Sequence, residues 1–322
     1  MISRRQFVGA AAGLAAAGNV PLAFAQAYPS RPVRFLLGYA AGSGPDLIAR
    51  FYAERLRPMM KTIVVENKPG AGGNIAAEQV AHAKPDGYTL HPTGGGSLAA
   101  APVIYREVPF DVERDLVVVA MLARQHTLLV VGANSPAKDM NELSAILKAK
   151  GDKGRWGSAI PTARVLGTLY SQSIGVAPVE VQYKTSADWI PDLANDMLDF
   201  AFIDSASGLG HARQGRIRAL AGSSATRISA LPDIPTMKSF GVDVDMASWW
   251  AVYAPAATPE PLQDQINQWF NEQSATPEAK AFLNGIGNEP WPLPRREAQA
   301  YHLEEVKNWA RYVKIAGIQP QG

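Results

Sequence analysis

Val33-Arg34-Phe35-Leu36-Leu37, followed after three residues by Ala41-Gly42-Ser43-Gly44-Pro45-Asp46, is the stretch that decides the fold. The short apolar run reads as a buried strand, and the glycine-rich segment breaks it. A helix then begins, because Pro45 suits the first helical position, where a missing N–H costs nothing. Leu47, Ile48, Phe51 and Leu56 recur at helical spacing. The same order returns twice. Ile63-Val64-Val65 leads into Gly70-Ala71-Gly72-Gly73-Asn74 and a helix through Ala83. A turn at Pro85-Asp86-Gly87 opens a strand around Tyr88-Thr89-Leu90, which leads into Thr93-Gly94-Gly95-Gly96-Ser97 and another helix. Strand, glycine loop and helix, three times over, predict an α/β fold with a parallel sheet flanked by helices. In open α/β sheets ligands bind where strands end and helices begin, and these loops lie there.

Outward from this core the pattern continues. Leu128-Leu129-Val130-Val131 reads as a strand, followed by Ser135-Pro136 and a helix over 140–149. Further strands are expected near 179–182, 200–203 and 218–221. Ser248-Trp249-Trp250-Ala251-Val252-Tyr253-Ala254-Pro255 again joins a strand to a proline and a helix (261–272). These two strand–proline–helix passages are candidates for two crossings between lobes. A closing helix over 295–316 carries Ala300, Leu303, Val306, Trp309, Ala310 and Val313 at amphipathic spacing.

The glycine loops invite a dinucleotide reading, but the pattern fails. The position that should hold the third glycine after Gly42 and Gly44 is Leu47, the second loop fails likewise, and no Gly-x4-Gly-Lys-Ser/Thr exists. An anion cradle fits better. The first N–H groups of a helix lack intrahelical partners and lie at the positive end of its dipole. A carboxylate placed there takes charge-assisted hydrogen bonds, and glycine lets it approach the backbone.

The N-terminus reads as an export signal. Arg4-Arg5 is followed by an uncharged stretch to Leu22 and by Ala23-Phe24-Ala25, a small-x-small cleavage site. Ser3-Arg4-Arg5-Gln6-Phe7-Val8 is of twin-Arg type, although sequence does not separate that route from the general one. The run is interrupted by Gly13, Gly18, Asn19 and Pro21, too short for a membrane span. Cleavage after about Ala25 removes two of the 31 basic residues and no acid, which leaves 29 of each sign. That balance argues against nucleic-acid binding. There is no cysteine, hence no disulfide, thiolate site or lipid anchor. The expectation is a free periplasmic monomer that is not membrane-embedded.

Other chemistries lack residues. His82, His91, His126, His211 and His302 are scattered without metal-ligand spacing, and His82 and His302, on expected helices, read as surface. No Gly-x-Ser-x-Gly elbow is present. Glu304-Glu305 and the Asp243/Asp245 pair read as solvated faces. No catalytic residue, metal site or cofactor is expected. Of Trp249 and Trp250, adjacent on one strand, one should face each way, and Trp249 is taken as a cleft candidate.

Val65-Glu66-Asn67-Lys68-Pro69-Gly70-Ala71-Gly72-Gly73-Asn74-Ile75-Ala76-Ala77-Glu78 and Lys84-Pro85-Asp86-Gly87-Tyr88-Thr89-Leu90 resemble the Bug family, the TctC-type substrate-binding receptors of tripartite tricarboxylate transporters. The resemblance runs over nearly the whole chain after the signal. It includes Tyr183-Lys184, Leu231-Pro232-Asp233-Ile234-Pro235-Thr236 and Ala254-Pro255-Ala256. It implies a two-lobed periplasmic binding protein of type II-like fold, each lobe a mostly parallel sheet flanked by helices, with two crossover strands. The implied division is 1–26 signal, 27–127 with 252–322 as the first lobe, and 128–251 as the second. The implied ligand is a small carboxylate held largely by backbone amides and delivered to integral-membrane transporter subunits.

Carried over by position, the first-lobe contacts fall at Ala41, Gly42, Ser43, Gly44 and Asp46, and at Thr93, Gly94 and Ser97. The second-lobe contacts fall at Ser158, Ala159 and Thr162, with Asp204 matching an acid at a strand-to-helix turn. The second-lobe loop departs from the family's Gly-Ser-Ser-Gly: here it is Gly157-Ser158-Ala159-Ile160-Pro161-Thr162, shorter and stiffer, and Tyr183-Lys184 is followed by Thr185 rather than glycine. Arg164 either pairs with a second carboxylate or lies on the surface of the following helix. Ile160 and a tryptophan would favour an apolar or aromatic ligand body, so aliphatic and aromatic mono- and dicarboxylates all stay open. So do two other roles, a ligand sensor for a membrane signalling partner and a periplasmic enzyme using the same cleft.

Overall fold

A computed structural model describes residues 28–183, 186–227 and 230–320. The expected signal at 1–26, together with Lys184 and Thr185, lies outside the described residues. The described residues form two sheets. The first has the order β11-β4-β10-β3-β1-β2, built from β1 (Val33–Leu37), β2 (Ile63–Asn67), β3 (Thr89–Gly94), β4 (Leu116–Gln125), β10 (Ser248–Pro255) and β11 (Asn288–Pro290). The second has the order β7-β6-β8-β5-β9, from β5 (Thr127–Gly132), β6 (Arg155–Ser158), β7 (Val179–Gln182), β8 (Phe200–Asp204) and β9 (Ile217–Gly222).

The helices are α1 (Gly44–Arg55), α2 (Arg57–Met60), α3 (Asn74–Ala81), α4 (Gly95–Ile104), α5 (Met140–Lys150), α6 (Pro161–Ser173), α7 (Ser186–Ala194), α8 (Ser205–Arg213), α9 (Glu260–Ser274), α10 (Pro277–Gly285) and α11 (Arg295–Ala316). None of them is long and apolar enough to cross a membrane.

The sheets are mixed, and the reason is the crossing. β1 pairs parallel with β2 and β3, and β6 parallel with β7 and β8. β1, β2 and β3 end at the three glycine loops, and β6 ends at the loop Ala159-Ile160-Pro161 that lines the cleft from the second lobe. β4 ends at Gln125 and β5 begins at Thr127, so one residue carries the chain from sheet to sheet. A strand that enters a lobe by this route starts at the end where its neighbours stop. β5 is therefore antiparallel to β8, with Thr127 opposite Asp204, and β10 is antiparallel to β3, with Trp250 opposite Gly94. The expectation of mostly parallel sheets is corrected to this extent.

Packing follows from strand alternation. Trp249, Ala251 and Tyr253 face a core shared with α3, α4 and α11. Trp250, Val252 and Ala254 face the opposite core under α1 and α9. In the second lobe Leu129, Val131, Phe200 and Phe202 join the first of these cores, while Leu128, Val130, Ala201 and Ile203 pack with Trp189 on α7. One apolar core thus runs through both lobes where α4 and α11 meet α6.

Two sequence expectations fail in α11. His302 is fully buried and Glu305 nearly so, rather than lying on the surface. The helix is long enough for its buried stripe, Ala298, His302, Glu305, Val306 and Trp309, to include polar residues that find partners. Tyr253 Oη lies 3.1 Å from His302 Nδ1, and Asn308 Nδ2 donates to Glu305 Oε1 at 2.9 Å. Asp243 and Asp245 are exposed as expected.

Candidate functional site

Glycines shape the cleft between the lobes. A Cβ on Gly38, just past β1, would lie 2.5 Å from Gly73 Cα, so the strand end rests directly on the second glycine loop. That loop is held in left-handed conformations: φ is 142° at Gly70, 65° at Gly72 and 99° at Gly73, and even Ala71 stands at 46°. A Cβ on Gly72 would lie 2.1 Å from the Tyr105 hydroxyl, so the tip of Tyr105 abuts the loop. The result is a cavity of about 420 Å³ lined by Gly38, Tyr39, Gly70, Gly72, Gly73, Ser97, Ala100, Ile104 and Tyr105 from the first lobe, and by Ala159, Ile160 and Pro161 from the second. A smaller recess of about 180 Å³ continues it past Ile104 and Tyr105 to Ser158, Arg164, Gln182 and Tyr183.

Three helices begin at residues that line this cleft, α3, α4 and α6, and α1 begins opposite Ala206; no side chain caps any of their N-termini. Side-chain caps do occur in the chain, at Asp139, Asp204, Thr236 and Thr276, while α2, α9 and α11 start without one, as the cleft helices do. The α1, α3, α4 and α6 ends thus offer unspent backbone donors at the positive ends of helix dipoles. The second loop contributes Gly70, Gly72 and Gly73 to the lining. The sequence had marked it as one of three loops but did not place its residues in the site. Its run of glycines was the available signal.

The sequence candidates divide. Ser97, Ser158, Ala159 and Arg164 line the two cavities. Ala41, Gly42, Ser43 and Gly44 form the turn into α1, where a Cβ on Gly44 would lie 3.7 Å from Ala206 at the start of α8. The Ser43 hydroxyl donates to Ala40 O at 2.7 Å and so closes its own turn. Thr162 is half-buried in the first turn of α6. Thr93 and Gly94 are buried in β3, and the Gly94 N–H donates to the Tyr39 hydroxyl at 3.2 Å.

Asp46 is a scaffold. It is 2 % exposed and accepts from Gly42 N at 2.8 Å, Arg50 Nε at 2.9 Å and Asn67 Nδ2 at 2.9 Å. Burial alone would raise its pKa, but these bonds outweigh it and hold the carboxyl below its ordinary value. The first loop is tied through Asp46 to the end of β2. Asp204 is the N-cap of α8, accepting from Ser207 N at 2.8 Å, and its burial pushes the carboxyl up.

Trp249 corrects an expectation. It is 1 % exposed and packs on Tyr301 and His302 beneath α4, where a Cβ on Gly95 would meet its ring at 1.8 Å. Trp250, its neighbour, reaches toward the cleft only indirectly, with its ring edge-on to Tyr39 at 6.0 Å. Tyr39 and Tyr105, neither of which the sequence singled out, line the main cavity, and Tyr183 lines the smaller recess. Arg164 faces the smaller recess with its side chain 25 % exposed, and its Nε donates to Glu180 Oε2 at 3.2 Å.

This architecture has known counterparts. Residues 48–318 match the tripartite tricarboxylate transporter family receptor. A UPF0065 protein of Bordetella bronchiseptica is 34 % identical over 304 residues, covering 94 % of this chain and 90 % of that protein. The periplasmic binding protein BugD superposes with a TM-score of 0.79 at 29 % identity, over 91 % of this chain and all of that one. Rpa4515 of R. palustris, solved with adipate, gives 0.83 at 28 % identity over 91 % and 100 % of the chains. MatC of Rhodopseudomonas palustris, solved with malate, gives 0.75 at 25 % identity over 89 % and 100 %. The chain belongs to the Bug/TctC family of tripartite tricarboxylate transporter receptors.

Proposed function

We propose that the protein is a periplasmic solute-binding protein that captures a small carboxylate between its lobes and delivers it to a membrane transporter. The observation that carries this reading is the convergence of three helix N-termini without side-chain caps, those of α3, α4 and α6, and a glycine loop on one cleft. Such a cleft binds an anion without bulk positive charge, in keeping with the equal numbers of acids and bases after the signal. The adipate and malate bound by two of its structural neighbours are anions of this kind. The lobes are taken as 27–127 with 252–322, and 128–251, joined at the β4–β5 passage and at the segment leading into β10. Closure of one lobe on the other, biased by ligand contacts to both, is the working motion. The carboxylate is held by the loops at 41–44, 70–73 and 94–97 and by 158–162 across the cleft. The role is taken as binding rather than catalysis, in line with the receptor family that the chain belongs to. The chain is proposed to work as a monomer, exported by the signal at 1–26 with cleavage after about Ala25.

A thermal-shift panel of aliphatic and aromatic carboxylates tests this reading. At 100-fold excess over Kd a ligand contributes ~2.7 kcal/mol. For a protein of this size the melting point should rise by about 4 °C. A panel that leaves the transition unmoved, with protein shown empty by native mass spectrometry, would refute it.

A further inference from the structure

We propose that Arg164, aimed by Glu180, forms a distal anion subsite in the second lobe, so that the preferred ligand is a two-ended dianion such as an α,ω-dicarboxylate. This rests on the carboxylate-binding reading above and narrows it to a substrate class.

The geometry separates two edges of one guanidinium. Arg164 stands in the second turn of α6 and lines the recess that continues the main cleft. Its Nε donates to Glu180 Oε2 at 3.2 Å. The other Glu180 oxygen accepts from the Ser158 hydroxyl at 2.6 Å. β6 and β7, which carry Ser158 and Glu180, are paired parallel neighbours, so the carboxylate that holds Arg164 is itself fixed. No hydrogen bond to a described residue occupies Nη1 or Nη2. A guanidinium presents five N–H donors in a rigid fork, and the Nη edge is the one that suits a carboxylate bidentately. Glu180 thus uses one edge of Arg164 and leaves the other toward the recess.

The pair is not a sealed structural bridge. The side chains are 25 % and 21 % exposed, open enough for a ligand to reach. Among the described residues that line the cleft and the recess, Arg164 is the one cation. The path from the glycine loops to Arg164 passes Ile104, Tyr105, Ile160 and Pro161, which offer an apolar waist. Backbone donors at one end, an apolar waist and a guanidinium at the other describe a chain or ring with a carboxylate at each end. A monocarboxylate of the same body would fill the waist and leave the Nη edge unpaired as the lobes close, which costs binding. Glu180 is a positioning residue: it acts on the ligand through Arg164.

The test is calorimetric titration of the full exported chain with matched pairs, hexanoate against adipate and benzoate against terephthalate. The wild type should bind one dicarboxylate at least about tenfold more tightly than its monocarboxylate partner. Arg164→Gln should lower dicarboxylate affinity by about 10- to 100-fold and leave the monocarboxylate within about twofold. Arg164→Lys, a point charge without the fork, should recover only part. Glu180→Gln should weaken the dicarboxylate alone, and Arg164→Gln/Glu180→Gln should be no worse than Arg164→Gln. The proposal is overturned if the wild type does not discriminate within a pair, or if Arg164→Gln weakens both members equally. Monocarboxylate binding without discrimination sinks the distal subsite and spares the general reading. Failure of every acid to bind the wild type overturns both.

Discussion

Replacing Asp46 with alanine distinguishes a scaffold from a ligand contact. The carboxylate takes three bonds, from Gly42 N, Arg50 Nε and Asn67 Nδ2, and is itself buried. Its removal takes the acceptor from the Gly42 N–H and from one Asn67 amide proton, while Asn67 Nδ2 keeps its bond to Tyr39 O at 3.0 Å. Arg50, with its side chain 48 % exposed, rehydrates at little cost. Two lost bonds to a charged acceptor suggest a destabilisation of about 2–4 kcal/mol. For a chain of this size that lowers the melting point by about 3–6 °C. The sign of the pH dependence follows from the depressed pKa. Such a carboxylate stabilises the fold above its unfolded pKa of about 3.9 and stops doing so as pH falls through its lower folded value. The gap between wild type and Asp46→Ala should therefore be full at pH 7 and should shrink below about pH 4. Circular-dichroism melts at both pH values, with calorimetric affinity at pH 7, give the answer. A variant that melts within about 1 °C of wild type and yet loses carboxylate binding would refute the scaffold argument, since Asp46 would then be touching ligand.

Gly72→Ala places a Cβ against the Tyr105 hydroxyl at a φ of 65°. It should cost about 1–2 kcal/mol and at least tenfold in carboxylate affinity. Adding Tyr105→Phe should recover part of the affinity, and wild-type binding by Gly72→Ala would remove the second loop from the site. His91, His126 and His302 are each pushed down to about 4 by burial. Their unfolded pKa is about 6.5, so the unfolded chain takes up protons first and stability should fall as pH drops from about 6.5 to 4. Denaturant midpoints at pH 7 and pH 5 measure this, and equal midpoints would contradict it.

The parts legible in sequence were those whose local chemistry is self-sufficient. β1, β7, β10 and α11 fall where composition and periodicity put them, and the three glycine loops mark the cleft edge. β4 was not read. Nearly all of Leu116–Gln125 is buried on both faces, so no alternation betrays it. Its partners, β10 and β11, lie well over a hundred residues away, beyond any local signal. His302 was assigned to the surface by residue type, although it lies four residues from both Ala298 and Val306 on the buried stripe. Periodicity was the better guide there. Trp249 and Trp250 were correctly split between faces, but which face led to the cleft depended on how α4 lies over β10. Tyr39 and Tyr105 had no motif to announce them. They matter because the Gly38 and Gly72 backbones bring them there.

The passage between the sheets also bears on how such a protein can be taken apart. Gln125, the last residue of β4, is the register partner of Ser248, the first of β10. The hydroxyls of Thr127 and Ser248 lie 3.1 Å apart. Everything between them leaves and re-enters the first sheet through a single rung. The second lobe is therefore a cassette with adjacent ends. Exchanging it between relatives means cutting two neighbouring strands at one level, with the host's six-stranded sheet left intact on either side.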